Sequence, residues 1–366
     1  MGQGSPTIER LSVRAFRIPT DEPEADGTIS WESTTMILVE AAGGGAKGIG
    51  YSYASNAAAT LIAGLLRGLV EGRNAFAVPA IWSVMVSAVR NIGWPGIAAC
   101  AISAVDTALW DLKAQVLKLP LCDLLGAERD FVPIYGSGGF TCYSEARLAE
   151  QLSGWVEQSG CRAVKMKVGA SPDQDMERVR HARSVIGEAE LYVDANGALE
   201  RKVALQFAER YAELRITWFE EPVSSDDLDG LRLIRDRAPA GMAIAAGEYG
   251  YQPFYFRRML EAGAVDILQA DATRCGGFTG FLKAAALADA HMIPLSAHTA
   301  PALHLHVACA APRLKNVEWF HDHARIEAML LDGAPTPHNG AILPDRSRHG
   351  MGLELKEPDA RRFEIS

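Results

Sequence analysis

Asp194, Glu220 and Glu248 each close a short apolar run, and they follow one another at spacings of 26 and 28 residues. Convergent carboxylates at such positions repel too strongly to stay ionised together without a cation, and hard oxygen donors suit Mg²⁺. A Zn²⁺ site more often recruits His or Cys. Any one of these acids could instead cap the helix that follows it; three in consecutive runs weaken that alternative. Upstream, Ala163-Val164-Lys165-Met166-Lys167-Val168 alternates so that Lys165 and Lys167 share one face. Downstream, Asp271 ends one run and His298 the next, and an Asp one strand from a His can fix its tautomer and raise its basicity.

A lysine on one side, a His-Asp pair on the other and a divalent metal between them suit abstraction of the proton alpha to a carboxylate. That proton is weakly acidic, so the charge it leaves must be stabilised as it forms. Lys167 must be neutral to act as the base, and a neighbouring Lys165 with a nearby metal would depress its pKa. Lys165 is then the charge partner of the substrate carboxylate. Asn196 shares the face of Asp194 and can bond a ligand or substrate. Glu221 alternates to the opposite face before Pro222 breaks the strand, which gives it a structural role, with a direct ligand role as the lesser alternative. His321-Asp322-His323 could form a second metal site, but two histidines in an apparent loop are more often polar surface. His304 and His306 point to different faces of a helical stretch, and all four histidines are kept out of the core site.

The elements that must position these residues repeat. Eight runs, at 132–136, 163–168, 191–196, 217–222, 242–248, 265–271, 292–298 and 316–320, begin 23 to 31 residues apart, and a helical pattern follows each. That spacing is one strand plus one crossover helix, so eight parallel strands predict a closed (β/α) barrel with its chemistry at the strands' C-terminal ends. An open doubly wound sheet would want a glycine fingerprint after its first strand. Gly136-Ser137-Gly138-Gly139-Phe140-Thr141 lacks the last glycine of that pattern, which argues against a nicotinamide cofactor.

The region before the barrel has another style. Alternation over 10–18, 35–40 and 48–53 with a turn at Gly43-Gly44-Gly45 predicts a three-stranded antiparallel sheet, and the glycine triplet reads as a hairpin turn rather than a phosphate cradle. A helical pattern runs from Ala57 to about Leu125, strongest over Ile97 to Leu117. Strands then helices suggest a small α+β domain.

With 36 Lys plus Arg against 45 Asp plus Glu, the chain of 366 residues carries a formal charge of −9 and no cluster of basic residues. That excludes the footprint of a nucleic-acid or membrane-surface binder and leaves small molecules as partners. There is no apolar run long enough to span a bilayer and no apolar core of a signal peptide in Met1 to Arg10, so a cytoplasmic location is expected. The six cysteines form no C-x-x-C pair and read as small, mostly buried apolar residues.

Taken in order, these motifs resemble the enolase superfamily, and within it the mandelate racemase subgroup. Lys165-Met166-Lys167 matches its K-x-K. Val193-Asp194-Ala195-Asn196, Trp218-Phe219-Glu220-Glu221-Pro222 and Gly247-Glu248 match its three metal-ligand motifs. Asp271 and His298 match its dyad, and Glu318 matches the strand-eight glutamate that hydrogen-bonds the substrate carboxylate. Ala101 to Asp111 resembles its pre-barrel helix signature. The resemblance covers nearly the whole chain. It implies an α+β capping domain, residues 1–125 completed by 346–366, over a (β/α)7β barrel at 126–345. It also implies Mg²⁺ and commonly a homo-oligomer. Substrate choice in such proteins is read partly by capping-domain loops, here 20–31 and 50–55. Trp31 is the substrate-contacting candidate there, and Asp21, Glu22, Glu24 and Asp26 around it read as a solvated loop, with direct substrate contact the lesser alternative.

Dehydration of a sugar acid to a 2-keto-3-deoxy acid is the leading expectation, with Lys167 removing the alpha proton and His298 protonating the departing 3-hydroxyl, or the two roles exchanged. Racemisation or epimerisation of a 2-hydroxy acid by the same two groups is the alternative. A non-catalytic barrel would need no opposed acid/base pair.

Overall fold

A computed structural model describes residues 6–365. Met1 to Ser5 and Ser366, the outermost residues of the expected capping domain, lie outside the described residues. Alternating side chains build β1 (Ile8–Ala25), β2 (Ser30–Gly43) and β3 (Ala46–Tyr53) into an antiparallel meander, with Gly44-Gly45 forming the hairpin turn. The sheet has four strands rather than three, because the C-terminal strand Glu364–Ile365 pairs with β1 at Ala15 and Phe16. The helix Ile97–Leu117 lies on this sheet with both faces covered. Its close approach explains two glycines in β3: a Cβ at Gly48 would stand 2.1 Å from the Leu112 nitrogen, and one at Gly50 2.3 Å from the Ala108 nitrogen.

The same helix locks the two parts of the molecule together. Asp111 accepts backbone N–H bonds from Ile49 (2.8 Å) and Met351 (2.6 Å), while Asp106 accepts from the Thr279 backbone (2.9 Å) and hydroxyl (2.6 Å) on a barrel helix. These buried acids act structurally, because they satisfy donors that packing has removed from water.

The barrel strands are β4 (Val132–Gly138), β5 (Ala163–Lys167), β6 (Glu190–Asp194), β7 (Ile216–Glu220), β8 (Ala243–Ala246), β9 (Ile267–Ala270), β10 (Leu295–Ala297) and β11 (Leu314–Phe320). All neighbours are parallel, and β11 closes on β4 through Val317 and Ile134. Between successive strands the chain crosses back through helices, from Glu145–Glu157 after β4 to Pro301–Cys309 before β11. This is the expected (β/α)7β barrel under an α+β cap. Tyr135, Tyr192, Trp218, Ala245 and Ile267 fill the barrel interior, with Tyr192 stacked on Trp218 at 4.9 Å. Of the cysteines, Cys142 alone is exposed. Among the described residues no helix is long and apolar enough to cross a membrane.

Three local expectations are corrected. The stretch 20–31 is mostly strand: Glu24 pairs with Trp31 across β1 and β2, so only residues 26–29 turn. Asp21 and Glu22 are exposed, but Glu24 and Asp26 are buried, because strand pairing carries them under the cap. Residues 50–53 belong to β3, as the alternation over 48–53 predicts, so of the expected loop 50–55 only residues 54 and 55 lie outside the strand. His321-Asp322-His323 is not a loop but the first turn of a helix, His321–Leu330, that leaves the barrel toward the cap. There Thr34 Oγ1 donates to Asp322 (2.5 Å) and the Tyr51 hydroxyl to Glu327 (2.6 Å).

Candidate active site

Register places the first row of the site. Lys167 is paired with Asp194 between β5 and β6, and Asp194 with Glu220 between β6 and β7, so the three side chains stand side by side at the barrel mouth. Glu248 follows β8 after Gly247, where φ is 140° and a Cβ would meet the Gln269 carbonyl at 2.0 Å. Only glycine permits that approach between β8 and β9.

One oxygen from each of Asp194, Glu220 and Glu248 lies within 4.8 Å of the others, and all three residues are buried. Lys167 Nζ sits 2.5 Å from Asp194 Oδ2. Lys165 Nζ lies 2.5 Å from Glu220, 2.9 Å from Glu318 and 3.4 Å from Asp194. Trp218, from the barrel interior, donates its indole N–H to Glu220 Oε2 at 2.9 Å. Even so, burial and Asp194 push the Glu220 carboxyl up to about 8. Burial, the largest influence, and Lys165 both act to lower the Lys167 pKa, but Asp194, Glu248 and Glu220 together outweigh them and raise it, against the depression expected.

The opposite wall carries the dyad. His298 Nδ1 is 2.9 Å from Asp271 Oδ2, and Nε2 is 3.3 Å from Glu248 Oε2 and 3.7 Å from Glu318 Oε2. Burial opposes a charge on this ring, but Glu248, Glu318 and Asp271 together raise its pKa to about 9. Glu318 Oε1 accepts from the Ser137 hydroxyl (2.6 Å) and Oε2 from the Thr299 N–H (3.0 Å). Thr299 and Ala300 are consecutive left-handed residues, φ 52° and 39°, held in a sparsely populated conformation next to His298.

Lys167, Asn196, Glu248, His298 and Trp31 line one cavity of about 240 Å³ under the cap. Lys165, Glu318, Asp194 and Glu220 are gathered into the same cluster but stand behind the lining, almost fully buried. Trp31 packs edge-on against Phe140 at 5.6 Å and gives its N–H to Glu24 (2.8 Å), so it offers the cavity a ring and no free donor. The buried Asn196 Oδ1 has no hydrogen-bond partner.

Several residues of the cavity were not anticipated. Arg274 lies 3.6 Å from Glu248 and 3.5 Å from Asp271, which it follows by one helical turn; that i,i+3 spacing was the available signal. His323, expected to be surface, is buried against the cavity, stacked on Tyr53 at 3.5 Å. His321 pairs instead with Asp21 at 2.9 Å beside Glu24. His304 and His306 are satisfied core residues, accepting N–H bonds from Ala272 and Cys122. Glu221 departs from the extended strand conformation, with a φ of 36°, and burial, with the charges of Glu248 and Asp194, pushes its buried carboxyl well up.

The donor set fits a hard divalent cation. Every ligand atom is oxygen, and the buried Glu248 Oε2 and Glu221 Oε1 have no hydrogen-bond partner.

Residues 12–126 match the mandelate racemase/muconate lactonizing enzyme N-terminal domain, and residues 147–360 match the enolase C-terminal domain-like family. The chain belongs to the mandelate racemase/muconate lactonizing enzyme family of the enolase superfamily. It is 33% identical over 361 residues to 3,6-anhydro-alpha-L-galactonate cycloisomerase of Streptomyces coelicolor, covering 95% of this chain and 98% of that protein. It is 32% identical to L-talarate/galactarate dehydratase of Salmonella typhimurium, over 87% of this chain and 79% of that one. A structure of L-talarate/galactarate dehydratase with Mg and L-glucarate superposes with a TM-score of 0.91 at 28% identity, covering 99% and 93% of the two chains. A mandelate racemase/muconate lactonizing enzyme-like protein from Rubrobacter xylanophilus is 52% identical, with a TM-score of 0.96 over 98% of this chain and 100% of that one.

Proposed function

We propose that this protein is a Mg²⁺-dependent lyase that dehydrates a sugar acid to a 2-keto-3-deoxy acid. The observation that carries the reading is the placement of Lys167 and the His298-Asp271 pair on one cavity around the Asp194, Glu220 and Glu248 cluster. The dehydratase and cycloisomerase relatives, matched over most of the chain, support it.

Asp194, Glu220 and Glu248 would hold Mg²⁺, which would supply positive charge for the substrate carboxylate as the alpha proton leaves. Lys165, bonded to Glu220 and Glu318, keeps a further positive charge beneath the substrate carboxylate. Lys167 takes the proton from C2; the C2–H electrons form the C2–C3 double bond, and the C3–O bond breaks. His298 gives a proton to that oxygen, which leaves as water, and the enol tautomerises to the ketone. Asp271 keeps the ring oriented through Nδ1, so that Nε2 is the acid. Glu318, Asn196 and the Trp31 ring complete the substrate contacts.

Residues 1–125 with 346–366 form the capping domain of this reading and 126–345 the catalytic barrel; pairing of the last strand with β1 supports the division. A cytoplasmic homo-oligomer completes it. The six unpaired cysteines support a reducing compartment, and the exposed Ile92 and Ile97 on the cap support self-association. Proton NMR of Mg²⁺-loaded protein with a panel of sugar acids in deuterated water tests the chemistry. A 2-keto-3-deoxy product is expected; alpha deuteration of an intact skeleton would replace dehydration with racemisation or epimerisation.

A further inference from the structure

The cavity has two chemically different ends. At the barrel end stand the carboxylate cluster and both lysines. Among the described residues, Lys167 and Arg274 are the Lys and Arg side chains on the lining, and both already face acids. Lys167 is on Asp194; Arg274 stands between Glu248 and Asp271 and donates to the Glu248 carbonyl at 3.2 Å.

Among the described residues, no Lys or Arg side chain lines the cap end. Asp26 lies there, its Oδ1 held by the N–H groups of Thr28 (2.6 Å) and Ile29 (2.8 Å). Trp31 has committed its N–H to Glu24, and the Thr34 hydroxyl donates to Asp322, leaving its oxygen only to accept. His323 Nδ1 accepts the Ala300 N–H at 3.3 Å, so the ring is neutral and retains one donor, at Nε2. A sugar hydroxyl, which both donates and accepts, can bond to this wall. A carboxylate only accepts, and it would be desolvated beside Asp26 with no compensating charge.

We infer that the substrate is a monocarboxylate sugar acid, an aldonate, whose uncharged far end packs against Trp31 and the cap turn; this rests on the dehydratase reading above. The absence of a far-end cation, together with Asp26, excludes the corresponding diacids.

The test compares matched pairs, gluconate with glucarate and galactonate with galactarate among others, on the Mg²⁺-loaded protein, by thermal shift and by NMR in deuterated water. For the accepted configuration the aldonate should give the 2-keto-3-deoxy product with kcat/KM at least about tenfold above its aldarate, since a buried like-charge contact is strongly unfavourable. Ser33→Arg, an exposed position on the same wall, should narrow that gap. Equal or better turnover of the aldarate would overturn the inference and leave the dehydratase reading intact. An unchanged gap in Ser33→Arg, with wild-type circular dichroism, would overturn the placement of the far end at this wall. Aldonates that raise the melting temperature and exchange the alpha proton without forming the keto acid would uphold the charge preference and overturn dehydration. No thermal shift and no product from either class would overturn both.

Discussion

Asp271 Oδ2 lies 2.9 Å from His298 Nδ1, across the adjacent strands β9 and β10, and Nε2 of the same ring faces Glu248. The carboxylate therefore fixes which nitrogen meets the cavity. Asp271→Asn keeps the size but removes the charge that holds the ring. We expect kcat to fall by about 100-fold or more with the fold unchanged, read by steady-state kinetics beside circular dichroism.

His298→Asn separates the two half-reactions. Dehydration should stop, while Lys167 should still exchange the alpha proton of a bound substrate with solvent deuterium. Loss of both would show that the ring also orients the substrate.

Glu220→Gln takes one charge from a cluster in which Lys165 already stands 2.5 Å away. Affinity for Mg²⁺ should drop at least about tenfold and turnover should vanish, with little change in the fold; isothermal titration with Mg²⁺ measures the first directly. Full activity after chelation of all divalent ions would remove the metal from the mechanism.

Glu24 gives a pH signature of stability. Burial, with Asp322 nearby, pushes its carboxyl up to about 9, from an ordinary value of 4.5. Below the ordinary value the folded and unfolded states are both protonated. As the pH rises from about 5 to about 9 the unfolded chain ionises and the folded one resists, so stability falls, by at most about 1.4 kcal/mol per pH unit for one group. Glu24→Gln should be flatter over that window, and urea melts at several pH values would show whether its advantage over wild type grows with pH.

Gly50→Ala probes the joint between sheet and helix. The new methyl would stand 2.3 Å from the Ala108 nitrogen and 2.5 Å from the Ala104 carbonyl, so the backbone must move. A loss of about 1–3 kcal/mol is expected in denaturant melts, with kcat preserved if the barrel is undisturbed.

The barrel was legible in the sequence, and so was the set of residues that the fold gathers at the candidate site. Eight apolar runs at one strand-plus-helix spacing leave few other ways to bury their hydrophobic faces, and the last residue of each parallel strand faces the mouth. Asp194, Glu220, Glu248, Asp271 and His298 could therefore be read off as a group, and the helix Ile97–Leu117 emerged with its observed bounds. Tertiary structure decided what local pattern does not encode. Glu221 leaves the extended conformation, with a φ of 36°, so strand alternation does not set where its side chain goes. Asp26, Thr34 and His323 come from segments nearly 300 residues apart, and meet only because the helix after β11 docks under the cap turn. Lys165 and Glu318 withdraw behind the cavity wall because each finds buried partners there, a balance of burial and charge set by three-dimensional neighbours.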